Sequence, residues 1–216
     1  MRVYVNVMAN VALDIPRLEG NTNSGTLAFD GQVVISNLIV KENVVERFMP
    51  EEGIDPVAHD SRYLRKWQVS EPITTSKGID FSEECAPSDE MAWEEIEAER
   101  RGLINLTRKF GKTEGRRIAW LKTTIYSEKQ QNKTLCLGFS DKVWVINNGS
   151  LIHVDKNLYG SPMQKVPDGR CSIENINLPL PLREGENQLM LGVSNFFYDW
   201  GIVARFNDLE EIELEH

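Results

Sequence analysis

This chain of 216 residues predicts an all-β protein, an antiparallel β-sandwich, and three observations carry that expectation. Short runs of β-branched and aromatic residues are separated by Gly, Asn, Asp and Pro. Several of these runs alternate apolar and polar residues with the two-residue period of a half-buried strand. Asn148-Gly149, flanked by such runs, is a tight-hairpin signal, because both central positions of a type I′ turn need positive φ.

Taken in chain order, Arg2 to Val7 and Val11 to Ile15 read as strands. After the turn-rich stretch Leu18 to Gly25 come Thr26 to Phe29 and Val33 to Val40. Three or four strands in isolation leave one apolar face wet, so this set needs a partner. From Lys41 to Arg62 the pattern breaks, with Pro50, Gly53 and Pro56 among many charges, and we place a linker over residues 41–63. Leu64 to Ser70 opens a second β region, followed by Pro72 and a polar stretch through Cys85 to Ser88. Trp93, Ile96, Arg100, Leu103, Leu106 and Phe110 then recur at helical spacing, with acidic positions before basic ones. That spacing predicts a short helix over Trp93 to Arg100, with a strand starting at Gly102, since glycine weakens a helix interior.

The remainder is more regular. Ala119, Leu121, Thr123 and Ile125 face one way, and Trp120, Lys122, Thr124 and Tyr126 the other. A polar turn over Glu128 to Lys133 leads to Leu135, Leu137 and Phe139, and Asp141 opens the hairpin around Asn148-Gly149. Ile173 to Leu182 carries Pro179 and Pro181, which suits an edge strand, since proline lacks the N–H that a central strand must donate. Glu184 to Asn187 is a turn, and strands over Gln188 to Ser194 and Ile202 to Phe206 close the domain near residue 211. Leu214, Glu215 and His216 look like the stub of an expression tag and are set aside.

Composition narrows the function classes. Lys plus Arg total 24 against 33 Asp plus Glu, a formal net charge of −9, which argues against an electrostatic grip on nucleic acid or an anionic membrane. No apolar stretch approaches the roughly 20 residues of a spanning helix. The chain opens Met-Arg-Val-Tyr-Val, without the basic then apolar pattern of a secretory signal; export of a longer parent stays open. Cys85, Cys136 and Cys171 form no CxxC pair and read as free buried thiols, and His59 and His153 are too few for a histidine-rich metal site. There is no Gly-rich phosphate loop and no HExxH. Glu94, Glu95, Glu97 and Glu99 read as a solvated face, so no spacing isolates the acid and base of a glycosidase.

The hairpin Val-Trp-Val-Ile-Asn-Asn-Gly at 143–149 and the segment Leu-Arg-Glu-Gly-Glu-Asn-Gln-Leu-Met-Leu-Gly-Val-Ser-Asn at 182–195, with Trp120 to Ser127 and Leu135 to Ser140, resemble the galactose-binding-like jelly roll. The match spans roughly residues 64–208. That module is common as a non-catalytic part of glycoside hydrolases and related proteins, and the resemblance implies carbohydrate binding by an accessory module of a bacterial carbohydrate-active protein. It also admits a structural calcium and no other cofactor. Val3 to Val5, Ala12 to Ile15, Gly25 to Phe29 and Ile35 to Leu38 resemble the closing strands of a concanavalin-like (laminin G-type) lectin domain, whose longer first part this chain lacks. That second resemblance implies docking to an upstream lectin-like domain, and under the family pattern 93–101 would be extended.

Sugars are held by aromatic faces against C–H patches and by a few polar groups on the hydroxyls. The candidate ligand-binding residues are Asn195, Tyr198, Asp199 and Trp200, in an aromatic stretch between two strands, with Tyr159 and Arg170 in the long loop Asp155 to Arg170. The alternatives are that these rings plug the end of the sandwich and that Arg170 caps a turn. Trp120 and Trp144, at strand positions, read as packing. Against glycan binding stand two other functions: part of a glycoside hydrolase, or a protein-interaction sandwich without a ligand.

Overall fold

The computed structural model describes residues 2–4, 11–14, 55–74, 87–88, 90–111, 115–166, 171–195 and 199–215. The chain divides into two compact units, Met1–Ile54 and Asp55–His216. In the first, β1 (Arg2–Tyr4) and β2 (Val11–Asp14) pair antiparallel, with Val3 opposite Leu13. The strands expected over 26–29 and 33–40 lie outside the described residues, as does Cys85.

The second unit is an antiparallel β-sandwich. One sheet holds β3 (Lys66–Ser70), β4 (Ile73–Thr74), β5 (Trp93–Glu97), β7 (Arg117–Ser127), β9 (Lys142–Asn147), β10 (Ser150–Lys156), β12 (Gly185–Ser194) and β14 (Ile212–Leu214). The other holds β6 (Leu103–Asn105), β8 (Gln131–Ser140), β11 (Ile176–Leu182) and β13 (Gly201–Phe206), in the order β11-β8-β13-β6. β7 organises the larger sheet. Along one edge it pairs with β12, from Ile118 opposite Ser194 to Ser127 opposite Gly185. Its other edge is shared by three short strands, β4 at Ile118, β3 at Leu121 and Lys122, and β14 at Ile125 to Ser127.

Alternation along the strands builds the core. Ala119, Leu121 and Ile125 of β7, Leu189, Leu191 and Val193 of β12, and Val143 and Val145 of β9 meet Leu135, Leu137 and Phe139 of β8 and Ile202 and Phe206 of β13. Each fully buried aliphatic or phenyl side chain contributes about 1.5–3 kcal/mol of hydrophobic stabilisation. β11 lies at the edge of its sheet, as its two prolines require. The turn signals act as expected: Asn148 and Gly149 take positive φ of 49° and 79°. Asn187, fully buried, donates to the carbonyls of Arg183 and Gly185 at 2.8 and 3.0 Å and accepts from the Arg183 N–H and the Asn148 amide at 2.9 and 2.8 Å. One side chain thus ties the β11–β12 turn to the β9–β10 hairpin.

One expectation, the helix over Trp93 to Arg100, is corrected. Residues 93–97 form a strand, because β3 offers a full ladder from Ser70 opposite Trp93 to Lys66 opposite Glu97. Ile96 thereby reaches the core, and the helix is confined to α1 (Leu106–Phe110), capped by Asn105, whose side chain accepts the Arg108 N–H at 2.9 Å. The second unit starts at Asp55, inside the segment read as a linker, since the Leu64 N–H donates to the Ala204 carbonyl and the Phe206 N–H to that of Arg62, seating this stretch along β13. Leu214, set aside as tag residue, pairs with Ile125 and is buried in the core.

Candidate functional site

β5, β3, β7 and β12 present their non-core side chains on the outer face of the larger sheet, and the ladders arrange these in rows. One row holds two pairs, Glu97 opposite Lys66 and Thr124 opposite Gln188, with the Glu215 N–H on the Thr124 carbonyl; the next runs Glu95, Gln68, Lys122, Met190, Ile146, Leu151; a third runs Trp93, Ser70, Trp120, Gly192, Trp144, Val154. The third row is apolar and close-packed. Trp120 and Trp144 flank Gly192, and a Cβ on that glycine would fall 2.8 Å from the Trp120 ring, so glycine is what lets the indole lie flat on the sheet. Ser70 Oγ accepts the Trp120 N–H at 3.0 Å.

The first two rows enclose an open groove of about 370 Å³. Lys66, Gln68, Glu95, Glu97 and Gln188 line it and are solvent-exposed, with Lys122 and Thr124 half-buried on its floor. Trp93 stands two residues before Glu95 on the same face of β5, and Lys122 Nζ sits 4.1 Å from its ring centre. A cation so placed is drawn to the ring quadrupole, so Trp93, packed against the Trp120 and Trp144 cluster beside the groove, holds the Lys122 ammonium at the groove's edge. Amide, hydroxyl, carboxylate and ammonium groups on four adjacent strands, beside an indole, form a surface able to hydrogen-bond a polyhydroxylated ligand while covering its C–H patches.

The residues singled out from sequence are placed differently. Trp200 is only 2% exposed. Its ring lies 6.2 Å from that of Phe110 and 5.5 Å from the Arg117 guanidinium, and the Trp200 backbone N–H donates to Thr107 Oγ1 at 2.8 Å. Asn195 is likewise buried, its side chain accepting the Arg117 N–H at 2.9 Å. Both are packed against Arg117 at the start of β7. Asp199 is exposed and its carbonyl accepts from Ser140 Oγ at 3.3 Å; Tyr159 is 64% exposed. Tyr198 and Arg170 lie outside the described residues. The long loop is anchored by amides: buried Asn157 donates to the Phe139 carbonyl at 2.8 Å and accepts the Lys165 N–H at 2.8 Å, while its own N–H reaches the Asp141 carbonyl. Asn175 adds a bond to the Val166 carbonyl at 3.1 Å.

The groove residues escaped sequence reasoning for an identifiable reason. Polar residues alternating outward along a strand look the same whether they line a groove or face bulk water, and Glu95 and Glu97 were assigned to a helix. The available signal was the alternation of β7, which already turned Lys122 and Thr124 away from the core.

Carboxyl groups with displaced pKa lie low. At Asp55, burial alone raises the pKa, but the N–H groups of Arg101 and Val57 and the Arg65 guanidinium outweigh it. At Asp155, burial is likewise outweighed, by Lys165, the Lys156 N–H and His153. Asp60 is lowered by its hydrogen bond to Arg62, and Asp208 by its bond to Lys133. Burial pushes the Cys171 thiol up to about 12, the opposite of an activated nucleophile. Among the described residues no group of three or more His, Cys, Asp or Glu side chains could hold a metal ion. No described helix is long and apolar enough to cross a membrane.

No family model matches the sequence, and no curated protein sequence matches it. Among solved structures, this chain is similar to a family 35 carbohydrate binding module from an environmental isolate, at 15% identity and a TM-score of 0.35 over 45% of this chain and 70% of that one. A beta-glucosidase from Kluyveromyces marxianus in complex with glucose aligns at 11% identity and a TM-score of 0.41 over 70% of this chain, which spans 16% of the glucosidase. A GH31 alpha-xylosidase from Xanthomonas citri aligns at 13% identity and 0.35 over 69% of this chain and 15% of its own. The likeness lies in antiparallel sheets.

Proposed function

We propose that the Asp55–His216 unit is a non-catalytic carbohydrate-binding module of the galactose-binding-like kind, and that it receives its ligand in the groove over β5, β3, β7 and β12. The observation that carries this reading is the pairing of the half-buried Trp93 indole, with Lys122 over its face, to a row of exposed amide and charged side chains on rigid strands. Strands hold such groups at fixed spacing, which suits the repeated hydroxyls of a sugar.

Glycan-array and titration measurements test this. Trp93→Ala is expected to weaken binding of any glycan recognised by the wild type about tenfold or more, and Gln188→Ala severalfold, with the fold intact by circular dichroism. Undiminished affinity in both variants would sink the assignment to this groove. A second reading places the ligand at the sandwich end, where Tyr159 and Asp199 are exposed and both loops are tied to Ser140 and Asp141. Tyr198 and Arg170 belong to that proposal. Loss of binding in Tyr159→Ala but not in Trp93→Ala selects it.

A further inference from the structure

A second hollow, of about 410 Å³, lies beside the groove and shares Lys66, Glu97 and Glu215 with it. Its remaining wall includes His59, Ser61 and Tyr63, from the stretch that precedes β3. The two hollows therefore meet along one wall, at the end of β5 and the start of β3. Of the charged groups lining the second hollow, Arg65 pairs with Asp55 at 2.7 Å and Asp60 with Arg62 at 2.7 Å, and Lys66, Glu97 and Glu215 line it as well. Beside them the hollow offers a ligand an exposed imidazole and an exposed hydroxyl, hydrogen-bonding groups suited to sugar hydroxyls. Size points the same way. The groove alone crosses four strands, a span of roughly 14 Å at about 4.8 Å per strand, which is more than one sugar ring needs.

We infer that the two hollows act as one cleft that takes an internal stretch of an oligosaccharide, several sugar units long, in place of a single sugar or a chain end. The inference rests on the glycan-binding reading of the groove. His59 and Ser61 form the distal part of the cleft, Lys66 and Glu97 its middle, and Gln68, Glu95 and Lys122 its proximal part.

The full chain is titrated by calorimetry with cello-, xylo- and chito-oligosaccharides from one sugar to six, while the side-chain amide resonances of Gln68 and Gln188 are followed by NMR. For the series that binds, affinity is expected to rise about tenfold or more from the disaccharide to the hexasaccharide. The double variant His59→Ala with Ser61→Ala, both at exposed positions, is expected to remove most of that gain and to leave the disaccharide constant unchanged. Affinity that plateaus at one or two units, or a double variant that binds the hexasaccharide as tightly as wild type, overturns the extended cleft and leaves the groove assignment standing. If no oligosaccharide of any length moves the Gln68 or Gln188 resonances, the groove assignment fails and the inference with it.

Discussion

Gly192 shows how much a single position decides. It lies in the middle of β12 between Trp120 and Trp144, and the missing side chain is the space that the Trp120 indole fills. Gly192→Ala should strain this contact and destabilise the protein by about 1–3 kcal/mol, read as a Tm lowered by several degrees in a thermal melt. An unchanged Tm would mean that the indole moves freely, which its full burial argues against. Asp55 decides by charge. Its carboxylate accepts from the Val57 and Arg101 N–H groups at 3.1 and 2.8 Å and pairs with Arg65, joining the start of the unit to the turn after β5. Because its folded pKa is lowered, its stabilisation is fully present above the ordinary value of 3.8 and is lost as pH falls through the depressed value. Asp55→Asn should therefore cost roughly 1–3 kcal/mol at pH 7, and that gap should shrink on acidification below the ordinary value. Denaturant melts across pH would reveal a constant gap if the charge were irrelevant.

At the scale of elements, the hairpins were the most legible feature. Asn148-Gly149 and the Leu182-x-x-Gly185-x-Asn187 pattern mark turns through requirements that are local: positive φ, and a short side chain able to bond its own backbone. The structure adds that the two turns are one assembly, joined through the Asn148 and Asn187 amides at 2.8 Å. Gly149→Ala should cost roughly 1–2 kcal/mol from the left-handed backbone alone, as nothing crowds the new methyl group. Asn187→Ala should cost more, since buried backbone groups on either side of the turn lose their partner. Equal chemical denaturation midpoints for the two variants would contradict this ordering. The failure at 93–100 is equally instructive. Its apolar spacing fits a helix, yet β3 supplies a five-residue ladder along one edge while Ile96 still reaches the core. Pairing across 27 residues of sequence outweighs local periodicity.

For the whole molecule, the consequence is that Asp55–His216 carries its own two-sheet core. A polypeptide beginning at Asp55 is expected to fold alone and to unfold in a single cooperative transition by calorimetry and by tryptophan fluorescence. One beginning at Leu64 would lack the Asp55 anchor and the pairing of Arg62 with Phe206, and should be less stable. Noncoincident transitions for the longer fragment would show that its core is incomplete.

Sequence alone determined that the chain is β, where most strands run, which faces turn inward and where the tight turns fall, because alternation and turn chemistry are properties of a few neighbouring residues. It marked Trp120 and Trp144 as packing for the same reason. Only the tertiary structure decided that 93–97 joins a sheet, that Trp200 and Asn195 pack against Arg117, and that Lys66, Gln68, Glu95, Lys122 and Gln188 share one groove. Those facts depend on which strands become neighbours. Adjacency between residues distant in sequence leaves no trace in the local pattern of either one.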